Sequence, residues 1–103
     1  MIAYKSTLLN RTEVAEETMA FHFEKPRNFL FKAGQYIDLH LLGSEPDRSN
    51  GLTHTFSIAS SPLAEDLVVT TRMRDTEFKR ALSAMPIGTE VQIEGPFGLF
   101  CSS

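Results

Sequence analysis

Thr53-His54-Thr55-Phe56-Ser57-Ile58-Ala59-Ser60-Ser61-Pro62 is the stretch around which this chain is organised. In an extended backbone Phe56 and Ile58 fall on one side and Thr55, Ser57 and Ala59 on the other, a period that predicts a short strand. Ser60-Ser61-Pro62 then stops it in a turn. One face of the strand is apolar and aromatic, while the other offers small side chains and a hydroxyl. A flat, half-polar ligand can lie against such a surface. The same residues also read as a core strand that simply ends in a Ser/Pro turn.

Toward the N-terminus, Ala3 to Glu16 carries Thr, Leu, Arg and Val with few breakers and reads as a first strand of imperfect alternation. Met19, Phe21 and Phe23 alternate with Ala20, His22 and Glu24, which predicts a half-buried second strand. Lys25-Pro26-Arg27-Asn28 breaks it, and Phe29-Leu30-Phe31 leads to Ala33-Gly34. From Gln35 the alternation resumes, with Ile37, Leu39 and Leu41 facing one way and Tyr36, Asp38 and His40 the other. Gly43 to Gly51 is polar and rich in breakers, a loop and by composition the most mobile part of the chain.

Beyond the central stretch, Leu67 to Arg74 is β-branched and strand-like. The period then changes: Phe78, Ala81, Leu82 and Met85 form an apolar stripe on one helical face, with Glu77, Lys79, Arg80 and Ser83 elsewhere. Asp75 or Thr76 caps this helix at its start, and Pro86 and Gly88 end it. Glu90 to Glu94 alternates again through Val91 and Ile93, and Gly95-Pro96-Phe97-Gly98 reads as a tight turn. Six strands with a single helix before the last predict a mostly all-β fold, a six-stranded antiparallel β-barrel rather than a βαβ sheet.

Composition narrows the function. A chain of 103 residues, 42% hydrophobic and 22% charged, is an ordinary one-core globular domain. A net charge of −3 and a pI near 5.5 provide no basic field for nucleic acid or anionic lipid. No apolar run approaches the roughly 20 residues of a membrane span, and Met1 to Lys5 is not followed by a signal-peptide core. Cys101 stands alone, without a partner for a disulfide or a metal site, so a cytoplasmic location is the expectation. His22 and His40 read as surface strand positions, and no metal-ligand spacing joins them to His54. Asp38, Glu90 and Glu94 read as solvated carboxylates, and no nucleotide-binding glycine motif is present.

His54-Thr55-Phe56-Ser57, followed by Ile58-Ala59-Ser60, resembles the flavin-binding strand of the ferredoxin–NADP reductase superfamily, which usually reads Arg-x-Tyr-Ser. Three further stretches are similar to that family in the same order: Ala33-Gly34-Gln35-Tyr36-Ile37, Arg72-Met73-Arg74-Asp75-Thr76 with the helix after it, and Gly88 to Gly98 with its Gly-Pro-x-Gly ending. The resemblance implies a Greek-key barrel over residues 1–101 that binds FAD, with FMN left open. It places Phe56 against the isoalloxazine, the Ser57 hydroxyl near flavin N5 in the catalytic role, and His54 at the phosphates. Thr55 and Arg72 join the cofactor-binding set, with Arg74 as a charge partner. Thr76, Glu77 and Phe78 are carried over mainly as backbone donors. Physically, a helix start with unpaired N–H groups is an anion site, although it also reads as an ordinary capped helix.

Two departures stand out. His54 replaces an arginine and Phe56 a tyrosine, which removes a permanent charge and a hydroxyl. The family's α/β domain for NAD(P)H has no counterpart in this sequence. The chain is then either one domain of a longer reductase or a free-standing flavin module, with NAD(P)H as co-substrate of the full-length protein and an electron acceptor still unnamed. The other function class is a non-catalytic barrel that has lost flavin binding and serves as an interaction domain.

Overall fold

A computed structural model describes residues 3–41, 53–74 and 76–98. The predicted loop Gly43–Gly51, the alternative cap Asp75 and Cys101 lie outside the described residues. The elements are β1 (Ala3–Ala15), β2 (Thr18–Glu24), β3 (Tyr36–Leu41), β4 (Thr53–Ser57), β5 (Asp66–Arg72), α1 (Glu77–Ala84) and β6 (Glu90–Phe97). These are the six strands and single helix that the hydrophobic periods predict, in that order.

All strand pairings are antiparallel, and the strands lie side by side as β4-β3-β6-β1-β2-β5. β1 is long enough to serve two neighbours: Ala3–Thr7 pairs with β6, and Leu8–Ala15 with β2. Its register shifts between Leu8 and Asn10, the mark of a bulge that lets a strand bend. Leu8 is completely buried while Leu9 next to it is exposed, which is the source of the imperfect alternation. The outer strands meet at one point. Ile58, just past β4, bridges Val69 of β5, and the Ala59 N–H donates to the Val68 carbonyl at 2.7 Å. Around that bridge β3, β4 and β5 are successive neighbours and β6 returns beside β3, the Greek-key order. The sheet is thus barrel-like but tied at a point. Among the described residues no ladder joins β4 to β5 upstream of Ile58, and β4 has no strand partner on that side there.

The inward faces of all six strands build one core, to which β4 contributes Phe56. Leu8, Phe21, Phe23, Ile37, Leu39, Leu67, Val69, Val91 and Ile93 are fully buried, and Phe78 and Leu82 of α1 cap the same cluster. The helix stripe is confirmed at Phe78, Leu82 and Met85. An eight-residue helix is too short to persist alone, so this apolar face is what holds it.

Some expectations change in the folded chain. Gly95-Pro96-Phe97-Gly98 is not a free turn, because β6 runs on through Phe97. Pairing advances from Asp38↔Glu94 to Tyr36↔Phe97, three residues on β6 against two on β3, so a bulge absorbs the glycine. Gly95 has φ +133°, and a Cβ there would stand 3.3 Å from the Tyr36 carbonyl oxygen. His40 lies on the outward side of β3 yet is buried: Nδ1 is 2.8 Å from Thr53 Oγ1 and Nε2 is 2.6 Å from Glu94 Oε1. Glu94 is accordingly a paired carboxylate rather than a solvated one.

Candidate functional site

The open edge of β4 is the natural place to begin. Ile58 donates its N–H to the Gln35 carbonyl, on the β3 side, whereas Ala59 donates toward β5. Main-chain groups alternate sides along a strand, so those of Thr55 and Ser57 turn toward β5, Ser57 at the bridge itself and Thr55 beyond it, where no ladder among the described residues joins the two strands. Continuing the Ile58↔Val69 register would set Phe56 opposite Thr71 and His54 opposite Met73. The open edge therefore leads toward Arg74 and the start of α1. There Thr76, with extended backbone (φ −115°, ψ 156°), caps the helix, and its Oγ1 accepts the Lys79 N–H at 3.2 Å. Thr76, of the two caps predicted, is the one that binds. Glu77 places an acid in the first turn, complementing the helix dipole.

Three rings gather at this edge. The His54 imidazole stacks on Phe56 with centroids 4.6 Å apart and planes 23° from parallel. Phe78 flanks both, 5.4 Å from His54 and 5.8 Å from Phe56. Their exposure is unequal: Phe56 is 5% and Phe78 3% accessible, while His54 is exposed. His54 Nδ1 lies 2.9 Å from the Thr55 carbonyl oxygen, which anchors the ring along the strand.

The other predicted residues separate into two groups. Thr55 and Ser57 are exposed on the opposite face of β4, and the Thr55 hydroxyl already donates to Asp38 Oδ1 at 2.5 Å. Arg72 ends β5, and its carbonyl accepts from Lys79 Nζ at 2.7 Å. Arg74 lines an open cleft of about 400 Å³ along α1 with Met73, Lys79, Arg80, Ser83 and Ala84. Neither His54 nor Ser57 is among that lining. Of the residues singled out in the sequence, the fold brings the rings of His54, Phe56 and Phe78 together, and Thr76 stands two residues before Phe78 as the helix cap.

Two basic residues that hold α1 in place escape the sequence reading. Lys79 counts as a solvent position on the helical wheel but is buried, and burial lowers its pKa, helped by the nearby Arg74 charge. Arg11 of β1 donates Nη2 to the Leu82 carbonyl at 3.3 Å and also to the Met85 carbonyl, at the other end of the helix. One signal for Arg11 was available: α1 has no basic residue in its last turn, so its final carbonyls need a partner from elsewhere. Among the described residues no group of three or more His, Cys, Asp or Glu is placed to hold a metal ion. No helix among them is long and apolar enough to cross a membrane.

The fold is a Greek-key sheet with an aromatic cluster on β4 and a capped helix start in the chain that follows β5. The family model of the oxidoreductase FAD-binding domain matches residues 5–101. The chain belongs to that family. It is 35% identical over 79 residues to the reductase component of propane 2-monooxygenase from Mycolicibacterium goodii, a match covering 74% of this chain and 21% of that protein. Its fold is similar to a ferredoxin NADP+ reductase from Neisseria gonorrhoeae solved with bound FAD and NADP, at TM-score 0.80 and 17% identity over 94% of this chain and 39% of the other. It is also similar to a cytochrome P450 reductase from Amycolatopsis, at TM-score 0.75 and 23% identity over 96% of this chain and 29% of the other. The chain therefore spans well under half the length of each of these relatives.

The residues present fit FAD. The exposed imidazole offers a flat face to an isoalloxazine, the open edge offers main-chain donors and acceptors, and the start of α1 offers N–H groups to an anion.

Proposed function

We propose that this chain is the FAD-holding part of an NAD(P)H-dependent oxidoreductase in the cytoplasm, which passes electrons between a nicotinamide nucleotide and an acceptor protein or small molecule. The observation that carries the reading is the His54–Phe56–Phe78 aromatic cluster at the side of β4 that has no strand partner among the described residues, in a chain of the FAD-binding family. Bound FAD supplies the transfer of electrons singly or in pairs. The chain's own residues bind and orient it. The Ser57 hydroxyl is exposed at the edge, the aromatic cluster takes the ring, and Thr76, Glu77 and Phe78 turn main-chain N–H groups toward the pyrophosphate, with Arg74 as a neighbouring cation.

A nicotinamide must be held within roughly 3–3.5 Å of its partner atom to react quickly, and remote contacts to the nucleotide supply the binding energy for that. Among the described residues every strand pairing is antiparallel and no βαβ unit exists, so a second domain or subunit provides the nucleotide site. The test is spectroscopic. This chain should purify yellow or turn yellow with one equivalent of FAD, and NADH or NADPH should bleach it no faster than free FAD unless a nucleotide-binding partner is present. A colourless preparation that ignores added FAD would return the reading to an interaction domain. Rapid, saturable bleaching by the chain alone would show a nicotinamide site within it.

A further inference from the structure

A strand that serves a flavin must be held in one orientation, and the inference that follows rests on the flavin reading above. We propose that Asp38 of β3 is a positioning residue for β4. Through the Thr55 hydroxyl it fixes the strand where main-chain bonds to β3 are missing, and His40 does the same through Thr53.

The register carries the argument. In an antiparallel pair, opposite residues alternate between pairs that exchange main-chain bonds and pairs that do not. Ile58 donates its N–H to the Gln35 carbonyl, so the main-chain groups of Phe56 and His54 also turn to β3, opposite Ile37 and Leu39. Thr55 and Thr53, opposite Asp38 and His40, form the other kind of pair. Their main-chain groups turn away from β3, toward the side where no ladder among the described residues joins β4 to β5. Only side chains can tie β4 to β3 at these two positions, and both pairs are tied. The Thr55 hydroxyl donates to Asp38 Oδ1 at 2.5 Å, and His40 Nδ1 lies 2.8 Å from Thr53 Oγ1.

The support behind these ties is firm. β3 lies between β4 and β6, with Asp38 paired to Glu94 of β6, and His40 is buried with Nε2 2.6 Å from Glu94 Oε1. β4 stands last in the strand order. Rolling Thr55 about the strand axis would swing its own N–H and C=O, and would tilt His54 and Phe56 on the opposite face, because successive side chains alternate. The Thr55 hydroxyl is committed to Asp38, so what Thr55 offers a flavin is its main chain. Thr55 is exposed and Asp38 half-buried on the outward face, so this tie can be cut without opening the core.

The test measures FAD dissociation constants by fluorescence, and the absorption bands of bound FAD, for wild type and four variants. These are Asp38→Ala, Asp38→Asn, Thr55→Val and the double variant Asp38→Ala/Thr55→Val, with far-ultraviolet circular dichroism to verify the fold. Asp38→Ala and Thr55→Val should each weaken FAD about three- to tenfold, the range that one hydrogen bond spans, and shift the bound flavin's bands. The double variant should be no worse than either single one. Loss of a negative charge would by itself favour an anionic ligand, so weaker binding by Asp38→Ala is not a charge effect. Asp38→Asn keeps an oxygen that accepts from the hydroxyl and should bind within about twofold of wild type, with its bands unmoved. The proposal is overturned if Asp38→Ala binds as wild type does or if Asp38→Asn is as weak as Asp38→Ala. It is also overturned if Thr55→Val weakens binding further in the Asp38→Ala background, which would put the Thr55 hydroxyl on the ligand. Should Asp38→Ala fail to fold, Thr55→Val and Asp38→Asn decide: loss in the first with retention in the second supports the tie, and any other pairing overturns it. A wild type that takes up no FAD brings down the flavin reading and this inference with it, whereas variants that match a flavin-binding wild type sink the inference alone.

Discussion

Replacing Arg11 isolates the force that holds α1 against the sheet. The helix has eight residues and ends without a basic side chain of its own, and the Arg11 guanidinium takes up the carbonyls of Leu82 and Met85. A charged donor on a main-chain acceptor contributes about 1.5–3 kcal/mol, and a cation at a helix C-terminus about 0.3–1 kcal/mol more. Against this, Arg11 Nε is buried without a hydrogen-bond partner, a penalty of about 1–3 kcal/mol that any substitution relieves. Arg11→Met keeps the stem and removes both terms, so the net loss should be only about 1 kcal/mol. Arg11→Ala also loses the packing of the stem and should cost about 2 kcal/mol. For a domain of this size 1 kcal/mol corresponds to a fall in Tm of about 4–8 °C. Urea titration followed by circular dichroism gives the numbers, with the slope m checked for constancy. A Met variant as damaged as the Ala variant would mean that the charge, not the balance with buried Nε, decides. Midpoints unchanged in both would refute the clamp.

Phe56→Ala should destabilise the fold by about 3–5 kcal/mol, because Phe56 is a core residue, while Phe56→Leu should retain the fold yet weaken flavin binding several-fold by loosening the ring above it; differential scanning calorimetry and flavin titration separate the two effects. Lys79 has a folded-state pKa below the usual 10.5, from burial and then the Arg74 charge, so the unfolded state binds more protons between those values and stability rises with pH there. Wild type should therefore gain on Lys79→Met as pH climbs from neutral toward about 10.5; a stability difference that stays flat with pH, measured by urea midpoints, would contradict the buried amine. Glu94→Ala leaves His40 Nε2 buried without its acceptor and should cost about 1–3 kcal/mol, whereas Glu90→Ala on the exposed end of the same strand should fall within about 0.5 kcal/mol; equal urea midpoints for the two would put His40 in water.

Alternation and helical period determined much of this protein from the sequence. Phe21 and Phe23, Ile37 and Leu39, Val91 and Ile93, and Phe78 with Leu82 face the core as their spacing requires. A side chain's direction is set by its own backbone, so a local pattern is enough. The resemblance to a flavin-binding strand was legible for the same reason, because His54 to Ser57 are consecutive. What the tertiary structure decided are meetings between distant residues. His40 was assigned to solvent by its position in β3, but Glu94, 54 residues on, closes over it from β6. Arg11 caps a helix whose Met85 carbonyl lies 74 residues away. Lys79 of α1 meets the carbonyl that ends β5, and Phe78 arrives from α1 to flank the His54–Phe56 pair. Which polar group finds which partner depends on which strands become neighbours, as β3 and β6 do to bring His40 to Glu94, and a local pattern does not carry that choice.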